Sequence, residues 1–175
     1  MKARWIGLGI VGMALVLTSC SKKEEPTYRT IPPKPCIVST GLPDSPMGQL
    51  GIQTIQIGNN IRVVIPTDGI FRDRGTEIKT SAYPALNDLA LFLSQYPNHR
   101  MVVTGHTDEL GTFARDQRLS EHQAQSLITY LWTQGIHHEC LTPIGIGKDE
   151  NFTVASNRSL NGKAANRRLE INFRV

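Results

Sequence analysis

An α/β chain with a mixed α+β sheet is the fold class this sequence predicts, in the order β-β-α-β-α-β-β with both helices packed on one face. Three observations predict it. Apolar residues alternate with polar ones on either side of Gly58-Asn59-Asn60, two apolar stripes recur at helical spacing, and the last seven residues alternate again. Two β-α-β connections of right-handed sense lay the helices on the same side of the sheet.

The chain has 175 residues, 39% hydrophobic, with Lys+Arg 19 against Asp+Glu 15. That composition fits one ordinary domain with appendages and excludes a multi-domain enzyme, a disulfide-dense miniprotein and a polytopic membrane protein. Residues 1–19 read as a signal peptide: Lys2 and Arg4 precede an apolar run from Trp5 to Leu17, shorter than the ~20 residues that span a bilayer core. Without Lys2 and Arg4 the balance is 17 against 15, or +2, so no nucleic acid partner is expected from charge. Leu17-Thr18-Ser19-Cys20 resembles a bacterial lipobox, which implies acylation of Cys20 and a chain anchored to a membrane without spanning it, since each buried CH₂ contributes ~0.8 kcal/mol. Ser21, where Asp would imply retention at the inner membrane, implies an outer-membrane location with the domain facing the periplasm.

Residues 20–47 form the lipidated Cys and a proline-rich tether, with Pro26, Pro32, Pro33, Pro35, Pro43 and Pro46 and almost no apolar periodicity. Dense proline blocks helix and ladder hydrogen bonds, so the segment either extends as a spacer or packs on a neighbouring protein. Cys36 and Cys140 pair in an oxidising compartment or stay as two buried thiols; spacing leaves both open.

The domain is expected over residues 48–175. Ile52, Ile55 and Ile57 and then Ile61 to Ile65 give two strands joined by a tight turn at Gly58-Asn59-Asn60. Leu86, Leu89, Ala90 and Leu93 mark the first helix, with Pro84 tolerated in its first turn and Pro97 ending it. Met101 to Thr104 suits a buried strand. Ala124, Leu127, Ile128 and Leu131 mark the second helix, closed at Gly135. Leu141 to Ile146 and the alternating Leu169, Ile171, Phe173 and Val175 supply the last two strands. The expected core is Leu86, Leu89, Leu93, Leu127, Ile128 and Leu131 over Val102, Val103, Ile171 and Phe173.

Several motifs in fixed order carry a family resemblance: Gly105-His106-Thr107-Asp108, Gly111, Leu119-Ser120, Tyr130-Leu131, Gly145 with Gly147, and Asn166-Arg167-Arg168. Together they resemble the OmpA C-terminal-like modules, peptidoglycan-associated and often borne on outer-membrane lipoproteins, which bind the wall noncovalently. The resemblance covers about Gln49 to Val175. It implies that this chain anchors an envelope assembly to the wall through the diaminopimelate stem peptide, without enzyme activity and without a cofactor. The layout is also similar to that of the OmpA-like lipoprotein of the Dot/Icm type IVB secretion apparatus, which implies envelope or secretion-system proteins as partners and a domain that mainly binds protein.

A diaminopimelate side chain ends in a zwitterion, so a receptor needs a carboxylate for the ammonium and a cation or N–H groups for the carboxylate. The resemblance implies the ligand-binding set Thr107, Asp108, Asp116, Gln123, Asn166 and Arg167. Asp108 takes the ammonium in this reading, with Gly105 and Gly111 admitting the ligand close to the backbone; the alternative is that Asp108 caps its own loop. The family places Arg where this chain has Gln123, and Asn where it has Asp116. Gln123 also completes the capping box Ser120-Glu121-His122-Gln123, and Arg115, Arg118 or Arg167 are candidates for the missing cation. His137, His138 and Cys140 lack the paired spacing of a zinc site, Gly145-Ile146-Gly147 reads as a turn, and no nucleophile with base and orienting acid can be assembled.

Overall fold

The computed structural model describes residues 46–108 and 110–175. The signal peptide, Cys20, Cys36 and all of the tether before Pro46 lie outside the described residues. Pro46 and Met47, read as tether from the sequence, form the short helix α1 (Pro46–Gln49), and Met47 is buried in the core.

Strand β1 (Gln53–Ile57) turns through Gly58, at φ 59°, into β2 (Asn60–Pro66), with Ile57 opposite Asn60. A four-residue helix α2 (Thr67–Ile70) follows, then a loop closed by a bridge between Phe71 and Ile78. Helix α3 (Tyr83–Leu93) has Pro84 in its first turn, where the missing N–H costs nothing. Then come β3 (Met101–His106), α4 (Phe113–Thr133), β4 (Leu141–Gly147), α5 (Leu160–Asn166) and β5 (Arg168–Arg174).

The five strands lie in the order β1-β2-β5-β3-β4. The last strand enters the middle of the sheet, antiparallel to both β2 and β3, while β3 and β4 run parallel. Val63, Ile171 and Val103 face one another across three strands with no exposed surface, and Leu86, Leu89, Leu127 and Leu131 join them in one core. This is the mixed α/β sheet expected, with one correction to its core. Val102 pairs with Asn172 on the opposite face, because neighbours along a strand point to opposite sides; Met101 and Val103 take the core positions.

Helix α4 starts earlier than its apolar stripe. Thr112 is its N-cap and accepts from Arg115 N, so Ser120 lies mid-helix and the Ser120 capping box does not form. The buried face continues through Asp116, Ser120 and Gln123 before it turns apolar at Ala124. Three glycines let this helix sit on the sheet. A Cβ on Gly105 would lie 2.2 Å from Ser120 O, one on Gly145 would lie 2.4 Å from Gln117 O, and one on Gly147 would lie 2.7 Å from Gln117 N. Gly105 therefore admits the chain's own helix, and Gly145 and Gly147 end a strand under that helix instead of forming a free turn.

Candidate functional site

The pairing of His106 with Arg168 sets the end of β3 beside the start of β5. Thr107 and Asp108 leave β3 at this point, Arg167 enters β5, and Thr67 N donates to Arg167 O at 3.1 Å, which brings α2 to the same place. Helix α4 crosses above with its polar first half.

Arg167 ties the elements together. Its Nε donates to Asp68 Oδ1 at 2.8 Å, its Nη2 donates to Asp68 Oδ2, and its Nη1 donates to Asp108 Oδ2 at 2.6 Å. The hydrogen bond from Arg167 holds the Asp68 carboxyl below the usual range, and the bonds to Asp68 and then Asp108 raise the Arg167 pKa despite its burial. Asp108 is itself 4% exposed; its Oδ1 accepts from Leu110 N at 3.3 Å, and Arg74 Nη1 stands 3.5 Å from its Oδ2. Asp108 thus shapes its loop and holds two guanidinium groups at once.

These residues line a cavity of about 170 Å³. Of the set named from the sequence, the cavity brings together Thr107, Asp108, Asp116, Gln123 and Arg167. Asn166 does not line it. Its Oδ1 accepts from Val154 N and Ala155 N, and its Nδ2 donates to Ala155 O and Asn157 Oδ1, so it fastens the 154–157 loop from behind. Gln123 sits eleven residues into α4, not in its first turn, and its Nε2 donates to Gly75 O at 2.8 Å, fixing the 72–79 loop to the helix. The space over Gly111 is filled by Asp116, whose Oδ1 would stand 2.0 Å from a Cβ there. Asp116 is 5% exposed, and its Oδ2 and Thr107 Oγ1 have no hydrogen-bond partner among the described residues.

Among the cations considered from the sequence, Arg115 and Arg167 line the cavity, whereas Arg118 turns back to donate to Ala114 O. Sequence reasoning missed Asp68 and Arg74. The local signal for Arg74 was the charged run Arg72-Asp73-Arg74-Gly75, where Asp73 and Arg74 adopt φ of 48° and 55°; its approach to Asp108 spans 34 residues of chain and is invisible to local patterning.

Beneath the cavity, Arg168 Nε donates to Glu170 Oε1 at 2.7 Å and its Nη2 to Phe152 O at 3.0 Å. Burial pushes His106 down to about 4, and the Arg168 charge adds to this, so the ring is neutral at physiological pH. Burial raises Glu170, yet the Arg168 bond and charge outweigh it and keep the carboxyl low. Cys140 is buried and disulfide-bonded. No cluster of three His, Cys, Asp or Glu able to hold a metal occurs among the described residues.

The chain is similar to several proteins of known name. It is 32% identical over 121 residues to probable lipoprotein YiaD of Escherichia coli, covering 69% of this chain and 54% of that protein. It is 34% identical over 86 residues to the peptidoglycan-associated lipoprotein of Buchnera aphidicola, covering 49% of each. The chain thus spans about half the length of these relatives. Among solved structures, the cell wall anchor of the T6SS from Pseudomonas aeruginosa superposes with a TM-score of 0.64 at 26% identity, covering 73% of this chain and 90% of that one. The OmpA family matches residues 70–167, a stretch that holds the cavity-lining Arg74, Asp108, Asp116, Gln123 and Arg167, and the chain belongs to the OmpA family.

Proposed function

We propose that this protein is an outer-membrane-anchored periplasmic lipoprotein whose OmpA-like domain binds peptidoglycan noncovalently and fixes an envelope assembly to the wall. The observation that carries the reading is the charged cavity at the end of β3 and β5, where buried carboxylates and guanidinium groups stand within reach of one small ligand. A zwitterionic stem-peptide end group needs both signs of charge in one place, and charge-assisted hydrogen bonds supply roughly twice the strength of neutral ones. The names of the Buchnera relative and of the Pseudomonas structure, both tied to the wall, support it. In this reading acylated Cys20 holds the chain at the membrane.

The test is sedimentation of the purified domain with diaminopimelate-containing sacculi. The expected result is a domain that pellets with the wall and is released by excess soluble stem peptide; a domain left in the supernatant overturns the reading. One observation favours a second reading, a structural subunit of a type IVB secretion apparatus that mainly binds protein: Gln123 replaces the family Arg and spends its amide on Gly75 O. That reading expects no sedimentation with sacculi and co-purification with envelope secretion proteins.

A further inference from the structure

Cys140 closes the short 3₁₀ turn His138–Cys140 that follows α4, and it is buried and disulfide-bonded. The chain has three cysteines, and the other two, Cys20 and Cys36, both precede Pro46, where the described residues start. A point on the proline-rich segment is therefore fastened beside the C-terminal end of α4. With Cys20 given to the lipid in the proposed anchoring, that point is Cys36.

The surface beside Cys140 suits a proline-rich chain. Trp132 is 57% exposed, and its ring and that of His138 stand with centroids 6.4 Å apart and planes at 86°. With Gln125, Thr129 and the buried Ile128 they line a groove of about 310 Å³. Aromatic-lined grooves take polyproline II segments, because proline rings pack on the aromatic faces and the preformed chain loses little entropy on docking. The carbonyls of such a segment have no internal partners, and the Trp132 indole N–H is a donor for one of them. The residues that lead into Cys36 are Pro32-Pro33-Lys34-Pro35. Pro32 and Pro35, three apart, share one edge of a helix with three residues per turn. Charge agrees with this pairing. Lys34 lies just before Cys36, and Glu139, exposed and without an ion pair among the described residues, lies just before Cys140.

We propose that residues 32–36 of this chain dock in its own α4 groove, with Pro32 and Pro35 against Trp132 and His138 and a Cys36–Cys140 disulfide as the staple. The choice of Cys36 rests on the reading of Cys20 as the acylated residue. Docking sets how far the domain stands from the lipid. At ~3.1 Å per residue the chain from Cys20 to Pro46 reaches ~80 Å when fully extended, and the chain from Cys20 to Cys36 only ~50 Å. It also sets which way the domain faces. Asp116, in the cavity wall, and Trp132 are ~24 Å apart along α4 at ~1.5 Å per residue, so the lipid-bound chain leaves from the end of α4 remote from the cavity.

The experiment uses the processed full-length protein, extracted from membranes in detergent with its thiols blocked. Digestion without reduction, followed by mass spectrometry, should give two peptides joined through Cys36 and Cys140, and a non-reducing gel should show a monomer. Fluorescence then reads the groove. Trp5 lies in the segment read as a signal peptide, so the emission of the processed chain belongs to Trp132. Pro32→Ser, Pro33→Ser and Pro35→Ser in one chain, with both cysteines kept, should move that emission to longer wavelength and increase its quenching by acrylamide. Cys36→Ser combined with Cys140→Ser should do the same, and circular dichroism checks the folding of both variants. Emission and quenching indifferent to the three proline substitutions overturn the docking, as does a disulfide-linked dimer. A lipid-bearing Cys20 with Cys36 found as a free thiol overturns the staple and leaves the anchor standing, whereas a Cys20–Cys140 pair removes both.

Discussion

At the residue scale the central fact is that one guanidinium, Arg167, joins Asp68 of α2 and Asp108 of the β3 exit. Asp108 is 5% exposed at its side chain, so its loss acts on stability. Asp108→Ala should lower the unfolding free energy by ~1 to 3 kcal/mol, because it leaves a largely buried guanidinium with one partner in place of two. Urea unfolding measures this, and a midpoint equal to wild type would mean that the bridge does not hold these elements together. His106 gives a second residue-scale prediction. Its folded value near 4 lies below the free value of 6.5, so the unfolded chain binds the extra proton first as pH falls. Stability is therefore complete above pH 6.5 and declines as pH drops from 6.5 toward 4, by up to about 3 kcal/mol. His106→Gln should flatten that part of the pH profile; an unchanged slope would assign the loss to other groups.

At the element scale α4 carries part of the cavity wall and of the core on one face, and its two halves are held by different physics. The second half is an apolar stripe in which Leu127 and Leu131 have no exposed surface. Leu127→Ala should cost ~2 to 5 kcal/mol in a thermal or urea melt, and a melt identical to wild type would place the helix off the core. The first half rests on close backbone contact over glycine. Gly145→Ala places a methyl 2.4 Å from Gln117 O, and overpacking against backbone costs ~1 to 3 kcal/mol. Because Gln117 follows Asp116, which lines the cavity, this substitution should also weaken the proposed sedimentation with sacculi, which Leu127→Ala, further along the helix, should leave intact in the folded fraction. The apolar stripe was legible in the sequence. The polar half was not, because Asp116, Ser120 and Gln123 have the composition of a solvated helix start and only the glycines beneath them make that face a buried one.

At the scale of the whole molecule, no described helix is long and apolar enough to cross a membrane, and the proposed attachment through Cys20 has its own test. Cys20→Ser should abolish lipid labelling and release the protein from membranes. A variant that is still processed and still fractionates with outer membrane would remove Cys20 as the anchor.

The sequence by itself determined the mixed sheet, the two amphipathic helices and most of the core, since side-chain periodicities of 2 and 3.6 are local properties that hydrophobic burial enforces wherever the chain folds. It also gave the family resemblance that brought Asp108, Asp116, Gln123 and Arg167 into view together. Only the tertiary structure decided what each of them does. The insertion of β5 between β2 and β3 puts Arg167 against Asp108, 59 residues away in sequence. The loop that follows α2 carries Arg74 to the same carboxylate. The turn of α4 over Gly111 buries Asp116. These are contacts between elements, set by strand order and helix placement, and no spacing along the chain encodes which charged groups of the cavity end up paired.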